Sequence, residues 1–326
     1  MVDPLLLELL RCPVTRLPLR VSGDRLRTED GRSYPIIDGI PVLLPEEFGD
    51  SGSGAASHTY SVTRGEIEPE QWLPTDPHPE EIHPLVRRSL AAAGGNLYVD
   101  LGDRLEEYPI PSFPISNGAG RLMLDVGCHW GRWTIAAARA GFRALGIDPS
   151  LNAVLAAKVV SDQVGVSPMF VVGDARHLPL NDSCIDFVFS FSVLQHFSGE
   201  DRDSAIEEIG RVLLPGGRTL VQMANARSLL GWYHQARRGF RQGEGFEVRY
   251  WSGANLRGAF ENSVGRAEIK ADAFFSLNAQ LADLRFLSFF GKAVVVSSAM
   301  LVELSRWLPG LKHLADSLMV DARKPG

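Results

Sequence analysis

The sequence predicts an α/β fold with a mostly parallel sheet, on two observations. Between residues 122 and 223 short apolar runs alternate with longer helical segments, as in repeated strand–helix units. The stretch from Leu122 to Trp133 is a buried strand ending on Asp125, broken at Gly127 and Gly131, and continued by a helix through Ala140. A strand, a glycine turn and a helix start together bring unpaired N–H groups close to a ligand, so this unit suits a nucleotide-like cofactor. At 326 residues, 45% hydrophobic and 22% charged, the chain has material for one large domain and an appendage.

Composition narrows the function. A net charge of −6 and a pI near 5.8 disfavour sequence-independent nucleic-acid binding, which needs a basic surface, so no nucleic-acid partner is expected. Cys12, Cys128 and Cys184 are scattered and odd in number, which suits a reducing cytoplasm. Asp3, Pro4 and Glu8 interrupt the first apolar run, so no signal peptide is expected. Phe286 to Leu308 comes nearest to a membrane span, but Lys292, Glu303 and Arg306 make it a buried or interfacial helix.

Residues 1–48 read as a small β-rich module. A short helical turn over Pro4–Leu10 precedes Arg11-Cys12-Pro13-Val14-Thr15; two short strand-like runs follow, then Tyr34-Pro35-Ile36-Ile37-Asp38-Gly39-Ile40-Pro41-Val42-Leu43-Leu44. This resembles the small zinc-ribbon-like activator subunit of RNA and protein methyltransferases, over about residues 4–47. A structural zinc needs four ligands, yet Cys12 stands alone and Thr15 fills the second position, so no metal is expected and Cys12 reads as a small buried residue. The module either packs against the next domain or serves as a scaffold or recognition element. Residues 49–79, rich in Gly, Ser, Pro and acids, form a linker or a lid, with Tyr60 and Trp72 as aromatic anchors.

Residues 80–326 form the main domain. A helix over Glu80–Ala93 ends at Gly94-Gly95, and an irregular stretch leads to the first strand. The second strand, Arg143–Asp148, ends on an acid about twenty residues after the glycine turn, where a carboxylate accepts ribose hydroxyls. Ser150 caps the helix that runs to about Val164. The third strand, Phe170–Val172, delivers Asp174 and Ala175, suited to an adenine amino group and ring nitrogen. The fourth, Cys184–Ser190, delivers Ser192-Val193-Leu194-Gln195-His196-Phe197 to the same edge; a helix over Asp203–Leu213 then stops at Pro215-Gly216-Gly217 before the fifth strand, Thr219–Met223.

DVGCHWGRW, GIDPS, GDARHLPL, IDFVFS, SVLQHF and LLPGG stand in order over about residues 120–224. This resembles a class I S-adenosylmethionine-dependent methyltransferase of the small-molecule type. The resemblance implies a seven-stranded Rossmann-like sheet with helices on both faces, S-adenosylmethionine as cofactor, and a small-molecule acceptor such as a sugar, a glycolipid or another secondary metabolite. It places Asp125, Gly127 and Gly131 at the methionine end, Asp148 at the ribose and Asp174 at the adenine. Cys128, His129, Pro149, Ala175, Ser190 and Gln195 complete the expected cofactor contacts, with His129 where the family commonly has a glycine. His196 is the candidate general base, since a histidine titrates near neutral pH; the alternative is a loop anchor that bonds backbone. Tyr233 and His234 are weaker candidates, and metal-independent chemistry is expected.

The C-terminal third is read as a helix over Ala226–Arg241, a strand or lid segment at Phe246–Trp251, a helix over Ser252–Phe260 and two last strands, Ala267–Ala271 and Ser317–Ala322, paired as an antiparallel hairpin. Between them the greasy insertion 274–316 is a packed helical cap, an apolar substrate wall or a peripheral membrane contact. Two rival readings stay open: a methyltransferase-fold scaffold without turnover, and an RNA modifier.

Overall fold

The computed structural model describes residues 2–49, 54–68, 81–94, 105–275 and 280–326, with backbone alone at 91–94. Trp72, and parts of the expected linker, of the stretch before the first core strand and of the insertion, lie outside the described residues.

In the first 48 residues, helix α1 (Pro4–Leu9) starts under the Asp3 side chain, which accepts from the amides of Leu5 and Leu6. Strands β1 (Arg20–Ser22), β2 (Arg25–Arg27), β3 (Ser33–Ile37) and β4 (Ile40–Leu43) follow as an antiparallel meander. Helices α2 (Ala55–Thr63) and α3 (Pro84–Gly94) precede the main sheet.

The sheet is built by β5 (Leu122–Val126), α4 (Arg132–Arg139), β6 (Arg143–Asp148), α5 (Leu151–Gln163), β7 (Met169–Gly173), β8 (Ile185–Phe191), α6 (Gly199–Val212) and β9 (Leu213–Ala224). After α7 (Leu229–Arg237), α8 (Gly253–Ser263), β10 (Ala267–Ala273), α9 (Phe289–Trp307) and β11 (Ser317–Arg323), the order is β7-β6-β5-β8-β9-β11-β10. All of β5 is buried because helices cover both faces, which is why its sequence is apolar throughout. β10 and β11 form the expected antiparallel hairpin. Strand order reverses between β5 and β8, so the crevice at their carboxyl ends is where such sheets bind ligands.

The seven expected strands are all present, but the sheet has eleven. β4 pairs in parallel with β7, Val42 against Val172 and Leu43 against Gly173, so residues 1–48 extend the main sheet. Leu10, Leu26 and Leu43 are fully buried in the same core as Leu124, Leu145 and Val171. Each such leucine contributes about 1.5–3 kcal/mol. Cys12 is buried, its Sγ 3.1 Å from the Tyr34 hydroxyl.

Three segments differ from the sequence reading. Part of the linker is helix α2, which buries Ala56, Tyr60 and Val62 against Leu151, Val154 and Leu155. Its Ser/Thr-rich composition hid a helical apolar spacing. Pro215-Gly216-Gly217 does not separate helix from strand: β9 starts at Leu213, and the register shift between Ile185 and Phe187 absorbs these residues as an irregularity within the strand. Phe246–Trp251 forms no strand, only a bridge between Trp251 and Asn225.

The insertion is fastened through its first turn. Asp283 accepts bidentate bonds of 2.9 and 2.7 Å from Arg132 at the start of α4, both side chains being buried. Arg132 Nε also donates to the Pro109 carbonyl. Among the described residues, no helix is long and apolar enough to cross a membrane.

Candidate active site

Three turns meet at the crevice. In the first, the Gly127 and Cys128 amides both donate to the Ile147 carbonyl, tying the end of β5 to β6. Gly127 has φ +78°, and a Cβ there would come 2.3 Å from Val193, so the loop after β8 lies directly on this turn. His129 has φ +48°, which explains why glycine suits this position: another L-residue there costs roughly 1–2 kcal/mol. Gly131, at φ +82°, caps α4.

In the second turn, Asp148 accepts from the His129 amide at 3.0 Å and the Ser150 amide at 2.9 Å. Burial raises its pKa, opposed by the neighbouring His129; burial lowers the His129 pKa, opposed by Asp148. Desolvation therefore outweighs the mutual attraction of the two side chains and favours the neutral form of each. Asp125, below them, is buried and accepts from Thr134 Oγ1 at 2.6 Å. Burial, with Asp148 adding repulsion, pushes its pKa up to about 7.

The third turn differs from expectation. Asp174, the residue expected at the adenine, has a carboxylate that takes Arg176 Nε at 3.1 and 3.0 Å, Nη2 at 2.6 Å and the Arg176 amide at 2.8 Å. Arg176 also donates to Asp201 and to the Phe48 and Gly49 carbonyls, and the Phe48 ring stacks on His177 at 3.8 Å. The end of the N-terminal segment is thus clamped onto the turn that carries Asp174 and Ala175. Thr59 of α2 makes a similar latch on the second turn: its hydroxyl donates to the Pro149 carbonyl at 2.7 Å and accepts from the Leu151 amide at 3.0 Å.

Three other expected contacts serve the protein itself. Ser190 is fully buried and donates to the Val126 carbonyl. Gln195 is buried, with Oε1 accepting from the Ala224 amide. Cys128 packs among Leu151, Phe170 and Val172, and burial drives its thiol pKa well up.

His196 is half-buried and stacked on Phe246, with Nδ1 2.9 Å from the Phe246 carbonyl. That bond assigns the proton of the neutral ring to Nδ1. Burial lowers its pKa, opposed by the backbone of Phe246 and Ser192. Arg249 completes the anchor, donating to the carbonyls of Gln195 and His196. Tyr233 and His234 lie on α7, where the His234 ring stacks on Tyr250.

The residues present fit an adenosyl sulfonium cofactor. His129 Nδ1 and Trp130 Nε1, both in the first turn, are buried polar atoms with no hydrogen-bond partner in the protein. A Cβ on Gly127 would collide with Val193, so glycine is what lets the loop after β8 close on that turn. A cavity of about 370 Å3 lined by Arg121, Asp186, Gly216 and Arg323 lies at the opposite end of the strands and includes none of these residues.

Residues 124–221 match the methyltransferase domain family. This segment is a class I S-adenosylmethionine-dependent methyltransferase domain. S-adenosylmethionine is the cofactor of this class I methyltransferase. It is 32% identical over 148 residues to the methyltransferase GfsG of Streptomyces halstedii, covering 44% of this chain and 47% of the relative, so the chain spans about half that protein's length. Its N-terminal segment belongs with the UPF0434 proteins: one from Caulobacter vibrioides is 53% identical over 49 residues, covering 14% of this chain and 75% of that protein. A complex of the Haloferax volcanii Trm112 methyltransferase activator with a methyltransferase is similar at a TM-score of 0.45 and 20% identity, over 74% of this chain and 94% of that one.

Sequence reasoning missed Thr59, Arg132 and Arg176. Arg176 carried a signal, standing two residues after Asp174 in a tight turn. Thr59 and Arg132 act on residues 90 and 151 positions away and carried none.

Proposed function

We propose that this methyltransferase moves a methyl group to a hydroxyl of a small molecule, with His196 as the general base. The observation that carries the reading is the contact of Val193 with Gly127, which seats the His196 loop on the cofactor turn. Bound S-adenosylmethionine supplies an electrophilic methyl group on a sulfonium. Asp125, the Gly127 and Gly131 turn and His129 would hold its methionine end, and Asp148 its ribose. In-line displacement needs chiefly alignment of the acceptor oxygen, which the fixed loop between β8 and α6 provides. His196 is suited to take the hydroxyl proton: its Nδ1 is committed to the Phe246 carbonyl, burial keeps the ring neutral at pH 7, and Nε2 is then the basic nitrogen. Asp174 acts indirectly, holding Arg176 and through it the wall formed by Phe48 and Gly49. The three cysteines are free thiols, which supports a cytoplasmic location.

The test is titration calorimetry with S-adenosylmethionine, followed by transfer of radiolabelled methyl groups into fractionated extracts. Binding that Asp148→Ala weakens supports the cofactor assignment; no binding to the wild type overturns it. His196→Ala should keep cofactor affinity and lose about 10²–10⁴-fold in turnover. An unchanged rate removes the base.

A scaffold without turnover is the second reading, favoured by the Asp174 carboxylate being filled by Arg176. Cofactor binding without transfer to any fraction would select it.

A further inference from the structure

Helix α9 is apolar on both its inner and its outer side: Leu301 and Val302 pack on the core, while the outer side is left uncovered. Its protein-facing side carries Gly291, Val295, Ser298 and Ser305, all buried, with Ser298 Oγ accepting from the Phe274 amide. Its outer side carries Phe289, Val296, Met300, Leu304 and Trp307, of which Phe289 is 90%, Met300 68% and Trp307 79% exposed. At 3.6 residues per turn these five fall within about 80° of arc, opposite the buried set. A helix that only covered the core would carry polar side chains on its outer side.

The position of this stripe adds to the argument. The insertion bearing α9 leaves the end of β10 and returns at the start of β11, and α7 leaves the end of β9, so both helices rise from the sheet edge that holds the cofactor turns. The two regions are joined where Asn225 Nδ2 donates to the carbonyls of His313 and Ala315. α7 also exposes apolar groups, Leu229 at 78% and Trp232 at 60%.

Charge identifies the occupant. The whole chain is at −6, yet residues 226–249 hold five arginines against two glutamates. In residues 281–314, Arg285 pairs with Glu107, Arg306 with Glu303 and Asp283 is buried on Arg132, which leaves Lys292 and Lys312 as cations outside these ion pairs. Apolar and aromatic side chains flanked by cations on the basic face of an acidic protein match an anionic lipid surface. No described helix is long and apolar enough to cross a bilayer, so α9 would lie on one.

We propose that α9, with α7 beside it, seats this protein on an anionic lipid surface, the cofactor edge of the sheet turned toward the membrane. The readout is binding, so the proposal stands apart from the identity of the methyl acceptor.

The test is co-sedimentation of the full chain with vesicles of phosphatidylcholine alone and with phosphatidylglycerol added, with Phe289→Glu/Trp307→Glu alongside the wild type. The expected result is binding that needs phosphatidylglycerol, weakens with salt and falls at least about tenfold in the double variant. The variant should keep the wild-type melting temperature and cofactor affinity, since neither side chain touches the core. Three results overturn the proposal: no wild-type binding to either vesicle, equal binding by the variant, or a wild-type dimer in sedimentation that the variant dissociates, which would make a second copy the occupant.

Discussion

Asp125 allows the electrostatics of the cofactor turn to be measured through stability alone. Its carboxyl is held at a pKa of about 7 in the native state, chiefly by burial, against 3.8 for the free side chain. Between those values the native state keeps a proton that the unfolded chain has released. Stability therefore falls as pH rises through this window and levels off above pH 7. At 1.36 kcal/mol per pKa unit, the change between pH 5 and 8 amounts to about 2.6 kcal/mol. Asp125→Asn cannot titrate and should lose none of it. Urea denaturation of both proteins at pH 5, 6, 7 and 8, without cofactor, gives the comparison. The stability difference, variant minus wild type, should grow by about 2–3 kcal/mol in favour of the variant from pH 5 to 8. Parallel pH profiles would refute the reasoning, because Asp272 and Asp316, whose pKa values burial also raises, titrate alike in both proteins.

Arg132→Met should cost about 3–5 kcal/mol in urea denaturation by leaving the Asp283 carboxylate buried and uncompensated, and Arg132→Met/Asp283→Leu should recover most of it. If the double variant is no more stable than the single, the ion pair is not what holds the insertion. Gly127→Ala should weaken S-adenosylmethionine binding at least about tenfold and lower stability by about 1–3 kcal/mol, since its Cβ meets Val193 in a left-handed turn; Gly127→Ala/Val193→Ala, read by calorimetry, should recover part of both. Thr59→Val removes two buried hydrogen bonds to the Pro149–Leu151 turn, for an expected loss of about 1–3 kcal/mol in thermal melts and a higher Kd for the cofactor. A change in melting alone would limit α2 to a structural role.

What the sequence disclosed and what it concealed divide along a physical line. The strands and the glycine turn were legible because each depends on its immediate neighbours: an apolar run, a positive φ. Arg176, Thr59, Arg132 and the pairing of β4 with β7 were not, because each is a contact whose partner depends on how distant segments fold together. The same line explains three residues whose side chains bond or pack within the protein. Ser190, Gln195 and Cys128 stand next to cofactor positions in sequence, but strand alternation and loop packing turn them inward, where the hydroxyl and the amide bond backbone and the thiol packs in the core. These hidden contacts share one effect. Phe48 and Gly49 are held at the third turn by Arg176, Thr59 sits on the second, and β4 zips onto the strand leading to the third. Two of the three turns are therefore fastened by residues 40–49 and by Thr59, so the N-terminal segment takes part in shaping this edge of the sheet, and cofactor affinity should depend on it even though it contributes none of the acids.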